Sequence, residues 1–109
     1  MPTVYKVLGQ SNPASNTATT LYTVPASTAT VISTISVANL TGTAATFRIA
    51  IRPGGATLAN QHYLAYDVTV AASDTTVMTL GITLATTDVI TVLASTANLS
   101  FSAFGSEIS

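Results

Sequence analysis

The sequence predicts an all-β fold, a single antiparallel β-sandwich of about eight strands, and three observations predict it. Threonine makes up about a fifth of the 109 residues, most of it beside Val, Ile or Leu; β-branched residues suit a pleated, half-buried surface and are mildly unfavourable in helices. Apolar and polar residues alternate with a period of two in several stretches. Turn-forming clusters separate those stretches at short spacing. Jelly-roll and immunoglobulin-like connectivities both fit such a pattern.

The first strand is expected over Val4–Leu8, followed by the extended stretch Ser11-Asn12-Pro13-Ala14-Ser15-Asn16. Residues 1–16 thus read as an N-terminal strand and arm, and residues 17–109 as the sandwich; the arm packs on its own sandwich or reaches a neighbouring subunit. Strands over Thr19–Val24 and Thr30–Asn39 end at Pro25-Ala26-Ser27 and Leu40-Thr41-Gly42-Thr43. In Ala45–Arg52, Phe47, Ile49 and Ile51 point one way, while Thr46, Arg48, Ala50 and Arg52 point the other. Pro53-Gly54-Gly55 then forces the chain out of a ladder, opening the aperiodic connection Arg52–Gln61, a candidate contact loop. Tyr63–Val70 repeats the alternation, with Leu64, Tyr66, Val68 and Val70 on one face. Of the tyrosines, this register turns Tyr63 outward and leaves Tyr5 and Tyr22 undecided. After Ala71-Ala72-Ser73-Asp74 come strands over Thr75–Leu80, Asp88–Ala94 and Asn98–Phe104, the last placing Leu99, Phe101 and Ala103 opposite Ser100 and Ser102. Asp74 and Asp88 each precede a strand, where a carboxylate accepts backbone N–H groups and closes a turn.

Composition narrows the function. The chain is 48% apolar but 6% charged with a net charge of -1, against about 25% charged in an ordinary soluble domain. Such a chain folds rather than staying disordered. Three cations cannot neutralise a useful number of phosphates, so no nucleic-acid partner is expected. No membrane span is expected either, since Ser and Thr interrupt every apolar run. The start, Met1-Pro2-Thr3-Val4-Tyr5-Lys6, lacks the basic and apolar regions of a signal peptide, so a soluble, unprocessed chain is expected. The glycosylation triplets Asn39-Leu40-Thr41 and Asn98-Leu99-Ser100 matter only in a secretory pathway.

Catalytic chemistry finds little to work with. The single histidine, His62, falls on the opposite face from Asp67, five residues on, and no Gly-x-Ser-x-Gly elbow marks a nucleophile. It reads as a loop-end residue donating to a backbone carbonyl, or as a contact residue. Asp67, Asp74, Asp88 and Glu107 are scattered without calcium-loop spacing, and without Cys or a second His a zinc site lacks ligands. Gly54-Gly55 belongs to no nucleotide-binding pattern. No enzyme, metal or cofactor is expected. Arg48 and Arg52, four apart on the outward face of one strand, either pair with Asp67 or meet carboxylates of another protein.

A sandwich this poor in charge has two physical readings: a neutral hydrated Ser/Thr surface, or a surface covered by neighbours in a permanent assembly. Depletion of charge marks interface cores, which favours the second. Symmetric oligomers with two-fold or three-fold axes are the usual form.

Several phrases carry a resemblance: Leu21-Tyr22-Thr23-Val24-Pro25-Ala26 with Ala29-Thr30-Val31-Ile32-Ser33-Thr34-Ile35-Ser36-Val37-Ala38-Asn39, then Phe47-Arg48-Ile49-Ala50-Ile51-Arg52-Pro53. Leu80-Gly81-Ile82-Thr83-Leu84, Asp88-Val89-Ile90-Thr91-Val92 and Leu99-Ser100-Phe101-Ser102-Ala103-Phe104-Gly105-Ser106-Glu107 extend it over nearly the whole chain. In these the chain resembles the small β-sandwich virion structural proteins of tailed bacteriophages, of the head decoration or cement type. The resemblance implies a catalytically inert protein on the outer surface of the capsid, a homo-oligomer, expected as a trimer, with the major capsid protein as partner. Tail-associated proteins share the same phrases, which keeps a receptor-contacting tail fibre or baseplate module as the alternative. The expected contact residues are Tyr5 and Lys6 in the arm, Arg48 and Arg52, Gly54 and Gly55 in the loop, and His62 and Tyr63 at its end.

Overall fold

The computed structural model describes residues 2–109. Among them are eight strands: β1 (Thr3–Ser11), β2 (Thr19–Thr23), β3 (Ala29–Asn39), β4 (Ala45–Arg52), β5 (Tyr63–Val70), β6 (Thr75–Leu84), β7 (Val89–Ala94) and β8 (Leu99–Ile108). They form a first sheet in the order β1-β8-β3-β6 and a second in the order β2-β7-β4-β5. The predicted all-β sandwich is thus the observed fold. β1 pairs with β8, β2 with β7, β3 with β6 and β4 with β5, all antiparallel. The chain is one long hairpin rolled up so that its arms alternate between sheets, which is jelly-roll order. An immunoglobulin-like order would place the first two strands side by side in one sheet; here they lie in opposite sheets.

Alternation builds the core between the sheets. Ile32, Ile35 and Val37 of β3 and Leu99, Phe101 and Ala103 of β8 face Phe47 and Ile49 of β4 and Ile90 and Val92 of β7, all without solvent exposure. The Phe47 and Phe101 rings meet edge to face across the gap, centroids 6.0 Å apart, a favoured aromatic geometry. Ala50, on the opposite side of β4, is also buried.

The first strand runs four residues' worth of backbone beyond its predicted core, from Thr3 to Ser11, as an edge of the first sheet. The stretch after it packs on its own sandwich: Asn12 Nδ2 donates to the Ala97 and Leu99 carbonyls, and Asn16 N–H to the Ala94 carbonyl. At β1 the two sheets close on each other. The register of β1 against β8 slips between Val7 and Gly9, and Gly9 lies so near β2 that a Cβ there would overlap the Leu21 carbonyl. Only glycine fits that approach. The first and last described residues meet on this sheet, with the Ser109 N–H donating to the Pro2 carbonyl at 3.1 Å.

One expected face is split. In β5, Leu64 and Tyr66 point outward and are exposed while Ala65 is buried; Val68 and Val70, opposite the core residues Phe47 and Ala45, keep the expected side. The cause is a pair of register slips against β4, between Phe47 and Ile49 and between Ile49 and Ala50. Asp67 takes a left-handed backbone, φ 53°, which inserts a bulge and re-aims the side chains on either side of it.

Candidate contact surfaces

The expected contact residues divide between two opposite sides of the sandwich. Tyr5 and Lys6 lie on β1 in the first sheet; Arg48, Arg52, Gly54, Gly55, His62 and Tyr63 belong to the second sheet and its β4–β5 connection. They do not form one site.

Most of those on the second sheet are engaged in building the connection. Arg52 donates from Nε to the Ala56 carbonyl at 2.7 Å, from Nη2 to the Gly55 carbonyl at 3.0 Å and from Nη1 to Thr91 Oγ1 at 3.2 Å. It folds the loop back beside β4. Gly54 and Gly55 both have positive φ, 62° and 75°, which glycine adopts without strain. The Gly54 N–H donates to Asp88 Oδ1 at 2.8 Å, and Asp88 Oδ2 accepts the Ala85 N–H at 2.9 Å, so this carboxylate pins two turns at once. Asp74 closes its own turn through the Thr75 N–H. His62 reverses its expected role: Nδ1 accepts the Ala59 N–H at 3.0 Å rather than donating to a carbonyl. A 3-10 turn over Asn60–His62 brings the backbone donor back to its ring.

What stands free on this side is an aromatic and charged cluster. Arg48 Nε donates to Asp67 Oδ1 at 2.7 Å and Nη2 to Oδ2 at 3.3 Å, a forked pair. The guanidinium lies 3.9 Å from the centre of the Tyr66 ring, and Tyr66 meets Tyr63 edge to face at 4.9 Å. Hydrogen bonding to Arg48 lowers the Asp67 pKa, and the same contact raises that of Arg48. The strand alternation hid Tyr66 and Leu64 from the sequence reading. The one signal for them was Asp67, a residue type that tolerates left-handed backbone in a strand otherwise rich in apolar residues.

On the first sheet, Tyr5 is 83% exposed. With Val31, Ser33 and Phe104 it borders a shallow, mostly apolar depression of about 450 Å³. Val7, beside Tyr5 on the same face, is also exposed. Lys6 turns to the other face of β1 and pairs with Glu107 Oε1 at 2.8 Å. Glu107 Oε2 accepts the Tyr22 hydroxyl, which also meets Thr30 Oγ1 at 2.8 Å. Tyr22 and Thr30 are buried, so this chain of contacts ties the first sheet to β2 of the second. Burial, with Glu107 adding to it, pushes the Tyr22 pKa up to about 12. Lys6, then Tyr22, holds the Glu107 carboxyl below its ordinary value.

Compared with known protein families, with curated proteins and with solved structures, the chain matches none. What the molecule establishes by itself is a small all-β domain of two antiparallel sheets. Several exposed apolar side chains, Tyr5, Val7 and Phe104 on one sheet and Leu64 and Tyr66 on the other, lie on the outer faces, and its few charges are largely paired or hold turns.

Proposed function

We propose that this chain is a non-enzymatic virion structural protein of a tailed bacteriophage, a head decoration protein that binds the outside of the assembled capsid and stabilises it. The observation that carries the reading is the exterior: Tyr5, Val7 and Phe104 on one sheet and Leu64 and Tyr66 on the other stand exposed in a chain that is 6% charged. A sparsely charged exterior with apolar groups on opposite faces suits a subunit lodged between neighbours. The phrase-level resemblance to phage virion proteins supplies the setting. The jelly roll is in keeping, since viral capsid domains use it, but lectin domains use it as well, so the fold alone carries no function. The mechanism is linkage: a ligand that binds only the assembled shell stabilises that shell, by about 2.7 kcal/mol per site at a hundredfold excess over Kd. The major capsid protein is the partner, and copies of the chain associate with one another on it.

A test uses heads assembled without the protein. Added chain should saturate the outer surface at a fixed stoichiometry and raise the temperature at which heads release DNA. Heads that neither bind it nor gain stability would overturn the proposal.

A second reading, a tail fibre or baseplate module contacting the host receptor, has the exposed Tyr66, packed edge to face on half-buried Tyr63, in its favour, because aromatic faces are common platforms for polar ligands with apolar patches. Density on the tail in electron cryomicroscopy of the virion, with glycan binding lost in Tyr66→Ala, would select it.

A further inference from the structure

Each sheet has two edges, and three of the four are unsuited to pairing with another chain. β2 is five residues long with a register slip between Thr20 and Tyr22. β1 carries Lys6, slips at Val7/Gly9 and is pressed against β2 at Gly9. β5 is broken by two slips and by the left-handed, charged Asp67. Such features are how native sheets blunt their edges. The fourth edge, β6, pairs with β3 in unbroken register from Thr75 to Thr79, opposite Ala38 to Thr34, before a slip further along. The segment Thr75-Thr76-Val77-Met78-Thr79 holds no charge, no proline and no glycine.

The direction of its backbone groups follows from two hydrogen bonds. The Asn39 N–H of β3 donates to the Asp74 carbonyl at 2.9 Å, so residue 74 faces β3, and by alternation so do 76 and 78. Thr75, Val77 and Thr79 therefore turn their N–H and C=O groups to the open side. In agreement, the Thr75 N–H is held by the Asp74 carboxylate at 2.8 Å instead of by β3.

We propose that β6 is a self-pairing edge: two copies of the chain join antiparallel through Thr75–Thr79 about a two-fold axis at Val77. Centred there, Val77 faces Val77 of the second copy, and Thr75 faces Thr79. Residues that open outward then meet residues that open outward, so the two Val77 exchange both their hydrogen bonds and each Thr79 N–H meets the other copy's Thr75 carbonyl. Side chains match too. Val77, 59% exposed, covers its counterpart, and Thr–Thr pairs flank it. The two Asp74 carboxylates fall about 20 Å apart, beyond a Debye length. A second copy is the occupant because the segment is nearly the same read in either direction, and because the other three edges of the chain cannot take it. The two first sheets become one continuous sheet, and the symmetry is two-fold in place of the trimer that the resemblance implies.

This inference concerns the isolated chain and goes beyond the proposed capsid function: pairing without head binding, or head binding without pairing, separates the two. Sedimentation of the full chain over micromolar to millimolar concentration should show a monomer–dimer equilibrium. Val77→Lys sets two ammonium groups against each other and should weaken the dimer about tenfold or more. Thr83→Lys, exposed on the same face of β6 beyond the slip, should leave it unchanged. Circular dichroism checks that both variants fold. Should Val77→Lys not fold, hydrogen exchange on the unaltered chain decides, since Val77 and Thr79 amides must gain protection as concentration rises. A chain monomeric throughout, a trimer, a dimer indifferent to Val77→Lys, or concentration-independent exchange at these amides would overturn the proposal.

Discussion

Two ion pairs of this protein have nearly the same geometry and different structural weight. Lys6–Glu107 closes at 2.8 Å and Arg48–Asp67 at 2.7 Å, and each joins neighbouring strands of one sheet. Asp67 is half exposed, and its partner rests on a tyrosine that is itself at the surface. The Glu107 side chain is 14% exposed and gives its second oxygen to Tyr22, which rises from the opposite sheet. A charge pair acquires weight from the buried groups that depend on it. Removing the outer pair leaves polar atoms that water can reach, whereas removing the inner one strands a hydroxyl between sheets.

The sharpest way to break this contrast is to attack the seam that the inner pair closes. Gly9→Val puts a branched side chain where the Leu21 carbonyl already lies, and β1 must swing off β2. We expect a loss of about 3 kcal/mol or more in urea unfolding; an unchanged midpoint would mean that the seam opens freely and the inner pair holds nothing shut. Tyr22→Phe is the next step down. It deprives Glu107 and Thr30 of a buried partner and should cost about 1–3 kcal/mol in the same measurement.

Titration sharpens the comparison from another side. The Glu107 carboxyl lies lower in the folded chain than its ordinary 4.5, so its contribution is complete above that value and is lost as pH falls through the folded one. Thermal midpoints should therefore drop on acidification below about pH 4.5, and less so in Glu107→Gln. Tyr22 runs the opposite way. Its folded value, about 12, lies above the ordinary 10.0, so its contribution holds below the ordinary value and fades as pH climbs between the two. Ultraviolet absorbance should show a tyrosine ionising near pH 12, and Tyr22→Phe should abolish that step. The smallest effect belongs to Asp67→Asn, which keeps a residue tolerant of left-handed backbone while removing the outer charge. Its melting midpoint should stay within experimental scatter of the parent protein.

The fold was legible wherever burial and pleat agreed. Phe47 and Ile49, and Leu99, Phe101 and Ala103, alternate in sequence as they alternate in space, because unbroken ladders preserve the period of two. β5 was misread for the converse reason: a bulge changes which side chains face inward without changing a single letter of the pattern. β8 runs on to Ile108 through Gly105, Ser106 and Glu107, a stretch with no apolar alternation, since there it is held by ladders to β1 and β3 on both sides. The surface was legible only in part. Scarcity of charge and aromatics singles out Arg48 and Tyr63, which the fold brings into one cluster around Tyr66; Arg52, Gly54, Gly55 and His62 are scarce types too, but they shape the loop. The link from Lys6 to Glu107 to Tyr22 spans residues far apart in the chain, and it becomes visible only once β1 is seen to pair with β8.

The bond from Ser109 to Pro2 has a practical consequence. With Pro2 and Ser109 side by side, a short linker can join them and new ends can be opened at Gly42, in a bend with open space beside its Cα. A cargo fused next to either of these two residues would emerge from the same rim of the domain.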